Sequence, residues 1–221
     1  MKPTRNSSMS RYEWAPEQFR KLLSISPNKI VADIGAGDGR MCGPVVQAGG
    51  DWFGFDLVPA SGNIQAWNIE KPASAGAPRA SVVLMLDVLE HLRNPWMALQ
   101  NVSDLLMPGG HLILTTPNPR WSRSRMWALS YGNAICFQQS DLDLNHHVFT
   151  PWPHIVERLL LDCGLTVTVF ETLDGKTPWP KGPVNLHYPA RFGLACVCKW
   201  IESRDATACG MSYGLIARKA K

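Results

Sequence analysis

The stretch V-A-D-I-G-A-G-D-G-R, Val31 to Arg40, ends an apolar run in an acid and then sets three glycines at alternate positions. Ile30 to Ile34 is apolar and largely β-branched, the composition of a strand covered on both faces. Gly35, Gly37 and Gly39 then permit positive φ and let backbone come close to a ligand. Strand, tight glycine turn and helix, in that order, predict the first crossover of an α/β sheet, and the rest of the chain is placed from it.

The glycine spacing separates two ligand classes. A dinucleotide fingerprint requires G-x-G-x-x-G, and Arg40 stands where its third glycine would be. The motif Asp33-x-Gly35-x-Gly37-x-Gly39 instead resembles the first motif of class I S-adenosylmethionine-dependent methyltransferases. That resemblance implies that Asp33, Gly35, Ala36 and Gly37 hold the methionine end of the cofactor, with Asp33 toward its ammonium. Trp52 to Leu57 reads as the second strand, and Asp56 at its end lies about 20 residues past the glycines, where a ribose-binding acid is expected, with Leu57 beside it. Ile64 to Trp67 is a short third strand followed by Asn68-Ile69-Glu70. By resemblance, Asn68 and the amide of Ile69 face the adenine; the family usually carries Asp where Asn68 stands, and the Asn carbonyl can still accept from the adenine amine.

Ser81 to Leu86 is a continuous apolar run of strand length, and D-V-L-E-H-L-R-N-P-W-M-A-L, Asp87 to Leu99, follows it. This segment is similar to the family's DVLEHL-x-[ND]-P-x-x-[AV]-L, which implies that Leu86 and Asp87 border the cofactor. Asn94-Pro95 can cap the next helix, and Met107-Pro-Gly-Gly110 turns into a fifth strand, His111 to Thr116. Methylases of planar amino groups usually carry [DNS]-P-P-[YFW] after the fourth strand, a place that here reads Leu86-Asp-Val-Leu89. The resemblance implies a Rossmann-like, mostly parallel seven-stranded sheet of order 3-2-1-4-5-7-6, last strand antiparallel, with helices on both faces.

With 221 residues and 45% hydrophobic composition, residues 1–221 are expected to form a single domain. Residues 1–29 read as an N-terminal arm and helix, the first ten disordered or loosely attached, the helix over Pro16 to Ser24. Residues 118–150 read as a cap inserted after the fifth strand, rich in Trp, Arg and Ser. A helix over Pro153 to Cys163, a strand over Leu165 to Glu171, a Pro- and Gly-rich loop over 172–192 and a last strand, Met211 to Arg218, complete the chain. The net charge of +4 has no basic block, so no nucleic-acid partner is indicated. Six cysteines without C-x-x-C spacing predict reduced thiols, and no apolar run reaches the roughly 18 residues of a transmembrane span; a cytoplasmic protein is expected.

A sulfonium methyl is already activated, so positioning, a dry site and a base for the acceptor proton suffice. His147, in an H-x-F-T segment after the cap, is the expected base; His146 is its rival and His91 is expected to border cofactor and acceptor. Asp87, Glu90 and His91 fall at i, i+3 and i+4 and resemble the E-x-x-E-H metal site of ubiquinone-pathway O-methyltransferases, with Asp in place of the first Glu. Because DVLEHL also occurs in family members that need no metal, none is expected here. The cap aromatics, with Arg120, Arg123 and Arg125, point to O-methylation of a glycan or sugar-linked acceptor. A phenolic or quinone-like small molecule is the alternative, and an inactive cofactor-binding subunit the reading from another class.

Overall fold

The computed structural model describes residue 3 and residues 5–73, 77–181 and 187–221. Its strands are β1 (Arg5–Asn6), β2 (Ile30–Ile34), β3 (Asp51–Asp56), β4 (Ile64–Ala66), β5 (Ala80–Leu86), β6 (Leu106–Pro117), β7 (Leu165–Leu173) and β8 (Ser212–Lys219). They form one sheet in the order β1-β7-β8-β6-β5-β2-β3-β4, with β8 antiparallel to both neighbours and the other pairs parallel. Without the two-residue β1 this is the expected 3-2-1-4-5-7-6.

Two apolar clusters cover the two faces, and β5 shows why they divide as they do. Side chains alternate across a strand. Val82 and Leu84 therefore pack with Trp14, Phe19 and Leu23 of α1 (Arg11–Ile25) and Val45 of α2 (Cys42–Gln47). Val83 and Met85 pack on the other face with Leu99 and Val102 of α3 (Pro95–Leu105) and Val156 and Leu160 of α6 (Pro153–Asp162). Pro44 lies in the first turn of α2, where a missing N–H costs nothing.

Several expectations are corrected. Residues 5–9 of the N-terminal arm are not loose: β1 pairs with Glu171 and Thr172, the Ser7 amide donates to Thr172 O (2.8 Å), and the Asp174 amide donates to Met9 O (3.0 Å), while residues 1, 2 and 4 lie outside the described residues. The first helix begins five residues earlier than expected, because the Glu13 carboxylate accepts from both the amide (2.9 Å) and hydroxyl (2.8 Å) of Ser10 and fixes its N-terminus there. β6 starts at Leu106, not at His111. Ala80 pairs with Leu106 and Val82 with His111, so Met107 to Gly110 bulge out opposite Ser81 inside one strand, with Gly109 at φ +78°.

The cap carries two helices, α4 (Ser122–Tyr131) and α5 (Gln139–Asn145). The loop expected over 172–192 is also shorter than its composition suggests. β7 continues through Leu173, and α7 (Tyr188–Arg204) begins before residue 192 and packs against α4; residues 182–186 of that expected loop lie outside the described residues.

Candidate active site

The C-terminal ends of β2, β3 and β5 and the N-terminal end of α1 surround the glycine turn. Gly35, Gly37 and Gly39 have φ of +70°, +56° and +77°, conformations that exact a steric cost from any residue with a Cβ. A Cβ on Gly35 would also overlap Val88 Cγ2. The turn is pinned from β3: the amides of Gly35 and Ala36 donate to Phe55 O (2.8 and 3.0 Å), and the Gly37 amide donates to Asp56 Oδ2 (2.9 Å). Asp56 Oδ1 accepts from the Val58 amide (3.0 Å), so the carboxylate is oriented at the rim of the turn.

A cavity of about 230 Å³ opens there, lined by Tyr12, Asp33, Gly35, Ala36, Gly37, Asp38, Arg40, Met41, Leu86 and Asp87. Asp33 is buried beneath it and accepts from Trp52 Nε1 (3.0 Å); burial is the main cause pushing its carboxyl up to about 7, against that hydrogen bond. Six of the expected cofactor residues, Asp33, Gly35, Ala36, Gly37, Leu86 and Asp87, thus meet on one concave surface with Asp56 at its edge. Leu57, Asn68 and Ile69 do not line it. Leu57 is exposed beyond β3, Asn68 Oδ1 accepts from the Glu70 amide (2.9 Å), and Ile69 is a core residue whose carbonyl accepts from Asn101 Nδ2 (2.6 Å).

A second cavity, about 360 Å³, is lined by Arg11, Tyr12, Asp87, Glu90, His91, Pro117, Cys136, Asn145, His147, Met211 and Ser212. Tyr12 and Asp87 belong to both cavities, so the two adjoin across these side chains. Asp87 has φ +55° and forms an ion pair with Arg11 Nε (2.5 Å), while Arg11 Nη1 donates to Ser212 Oγ (3.0 Å). Burial raises the Asp87 carboxyl even against the Arg11 charge. Trp14, the other aromatic near the start of α1, is buried in the core and donates to Glu171 Oε2 (3.2 Å).

Glu90, His91 and His147 converge in this second cavity. The segment after Asp87 is a 3₁₀ turn, Leu89–His91, so Asp87, Glu90 and His91 do not share a helix face as their spacing suggests. His147 joins Glu90 and His91 instead, with ligand-capable atoms of the three residues within 4.8 Å of one another. Glu90 is 1% exposed and accepts from Thr116 Oγ1 (2.8 Å); burial first, then the Asp87 charge, pushes its carboxyl up to about 8. His91 packs edge-on against His147 with centroids 4.9 Å apart, and partial burial followed by the His147 charge lowers its pKa.

His147 Nδ1 lies 2.6 Å from Cys136 O. A carbonyl only accepts, so Nδ1 is the donor, and in the neutral ring the lone pair falls on Nε2, the tautomer required of a base or a ligand. His146 is exposed and forms the left-handed C-cap of α5 at φ +56°, outside the cavity lining. Tyr12 and Glu90 are thus as central to the geometry as the histidines. Tyr12 precedes the recognisable motifs, and Glu90 is legible in sequence only through the E-H pair.

The cap cations do not all face this chamber. Arg120 and Arg125 both pair with Asp205 Oδ2 (3.2 and 2.5 Å), and Arg123 lies over the Trp121 ring. They therefore do not form the free anion clamp expected for a sugar-linked acceptor. A further cavity of about 380 Å³ shares no lining residue with the glycine turn and lies between α4, residues 177–181 and α7.

Residues 10–168 match the methyltransferase domain family. A ubiquinone biosynthesis O-methyltransferase of Bordetella avium is 26% identical over 141 residues, covering 51% of this chain and 58% of that protein. One of Azorhizobium caulinodans is 32% identical over 115 residues, covering 45% and 44%. The chain thus spans roughly half the length of these curated relatives. Among solved structures, a SAM-dependent methyltransferase from Archaeoglobus fulgidus superposes with a TM-score of 0.63 at 17% identity, covering 95% of both chains. The magnesium protoporphyrin IX methyltransferase of Synechocystis PCC 6803, solved with bound SAH, gives 0.57 at 16% identity, covering 95% of this chain and 84% of that one. The chain belongs to the methyltransferase domain family.

Proposed function

We propose that this methyltransferase transfers a methyl group to the hydroxyl of a small phenolic or enolic molecule. The observation that carries the reading is the common wall of the two cavities at Tyr12 and Asp87. Asp33 and the glycine turn would hold the methionine end of S-adenosylmethionine in the first cavity, and Asp56 would accept from its ribose hydroxyls. The acceptor occupies the chamber of Glu90, His91 and His147. Its oxygen attacks the sulfonium methyl, the O–C bond forms as the C–S bond breaks, and the proton passes to His147 Nε2, leaving S-adenosylhomocysteine. Cys136 O fixes the tautomer for this step and His91 packs edge-on against the base. An acceptor of this class is supported by relatives named for O-methylation in ubiquinone biosynthesis and by the engagement of Arg120 and Arg125 with Asp205.

A second reading of the same chamber is favoured by its donor set. One buried carboxylate and two imidazoles within 4.8 Å fit a divalent cation, which Glu90, His91 and His147 would hold. Such an ion supplies Lewis acidity, lowering the pKa of an acceptor hydroxyl. Two assays decide. Labelled S-adenosylmethionine with a panel of phenols and with polysaccharide, lipid and protein fractions should mark the phenols; label confined to polysaccharide would restore a glycan acceptor. Chelation followed by readdition of magnesium or zinc separates the base reading, in which turnover survives, from the cation reading, in which it is lost and regained.

A further inference from the structure

We infer that the face formed by α4, residues 177–181 and α7 is a docking surface for an anionic phospholipid bilayer. α7 buries Ala195, Cys198 and Glu202, which recur at i, i+3 and i+7 and so form one stripe. The opposite stripe of an ordinary surface helix is polar. Here it carries Val197 and Trp200, and Trp200 is 60% exposed. Phe192 at 45% and Trp179 at 51% stack on each other, centroids 5.3 Å apart, beside this stripe, and Leu129 and Tyr131 of α4 are exposed as well.

The segments that build this face and its flanks are rich in cations. Residues 120–131, 176–181 and 187–205 contain eight of the chain's 22 lysines and arginines but only two of its 18 acids, and of those two Glu202 is buried. The remainder of the chain is therefore net acidic although the whole is +4. The large cavity joins the pieces, since Arg123 of α4, Trp179 and Lys181 of the connecting segment, and Leu194 of α7 all line it. Lys199 Nζ lies 4.7 Å from the Trp179 ring centroid, and the Arg204 guanidinium lies over Trp200.

Aromatic and aliphatic side chains standing among lysines and arginines match the two layers of a membrane surface, acyl boundary below and anionic headgroups above. A water-facing helix gains nothing from an outward Trp and Val, and the positive field selects an anionic surface over a zwitterionic one. No helix among the described residues is long and apolar enough to cross a membrane, so the contact is peripheral. The inference is independent of the acceptor's identity, because it concerns a face whose cavity shares no lining residue with the glycine turn.

The test is co-sedimentation of the full chain with vesicles of phosphatidylcholine alone or mixed with phosphatidylglycerol, without cofactor or acceptor. The protein should pellet with the mixed vesicles and stay in the supernatant with phosphatidylcholine, and raising salt should release it. Trp200→Glu and Val197→Glu should each weaken vesicle binding about tenfold or more while S-adenosylmethionine affinity and melting temperature stay at the wild-type values. Arg204→Glu should weaken binding to the anionic vesicles without altering either control. No pelleting with the anionic vesicles would overturn the inference, as would Trp200→Glu and Val197→Glu variants that bind like wild type. A concentration-dependent dimer that Trp200→Glu dissolves, with no vesicle binding, would assign the face to a second copy of this chain instead.

Discussion

Glu90→Gln tests the electrostatics of the chamber directly. The wild-type carboxyl is held at about 8, against an ordinary value of 4.5, chiefly by burial. Between those values the folded chain keeps a proton that the unfolded chain has released, so wild-type stability falls as pH rises. From pH 5 to pH 7 that loss integrates to about 2 to 3 kcal/mol, which for a chain of this length corresponds to roughly 5 to 10 °C in melting temperature. Gln keeps an oxygen to accept from Thr116 and cannot ionise. The melting temperature of Glu90→Gln should therefore rise relative to wild type by that amount between pH 5 and pH 7, as read by scanning calorimetry of both proteins in matched, metal-free buffers. Asp33, also raised by burial to about 7, contributes in the same direction to both proteins and drops out of the comparison. A gap that stays constant across this range, or one that closes as pH rises, would refute the burial argument. Added magnesium or zinc should cancel the widening gap only under the cation reading, because a bound cation favours the ionised carboxylate.

The other expected outcomes are more local. Asp56→Ala removes the acceptor of the Gly37 and Val58 amides and, on the proposed placement, of the ribose hydroxyls, and should cost about 1 to 3 kcal/mol of S-adenosylmethionine binding by titration calorimetry; unchanged affinity would displace Asp56 from the cofactor site. Gly35→Ala forces a side chain into φ +70° and against Val88, so both melting temperature and cofactor affinity should drop. His147→Ala should lower single-turnover rates by roughly a hundredfold with cofactor affinity retained, whereas His146→Ala, at an exposed helix cap, should turn over normally. Normal turnover in His147→Ala would move the base elsewhere.

The sheet was readable because its central strands are continuous apolar runs punctuated by glycine, and burial on both faces demands just that composition. The features that escaped have physical reasons too. β1 is two residues long, too short for an alternating pattern to be read. α7 is apolar on its exposed side as well as its buried one, so the contrast that reveals an amphipathic helix is missing, and the Pro- and Gly-rich residues before it suggest a loop. In the site, Asp33 and the glycines are consecutive with the turn they form, and Asp56 follows at the end of the next strand. Glu90, His91 and His147 meet only because the cap folds back over the 55 residues between His91 and His147, and Arg11 and Tyr12 reach the cavities from a helix that precedes every motif.

The Arg11 contacts with Asp87 and Ser212 bear on how the protein is made. On a ribosome Arg11 and Tyr12 emerge well before Asp87, and Ser212 well after it. The glycine turn and its neighbouring strands can pair as soon as β5 is out, so a nascent chain can form the glycine-turn cavity early. The second cavity cannot close then: Met211 and Ser212 line it, and Ser212 accepts from the same guanidinium that holds Asp87. Synthesis therefore separates the two adjoining cavities in time, and the second is complete only once β8 has threaded between β6 and β7.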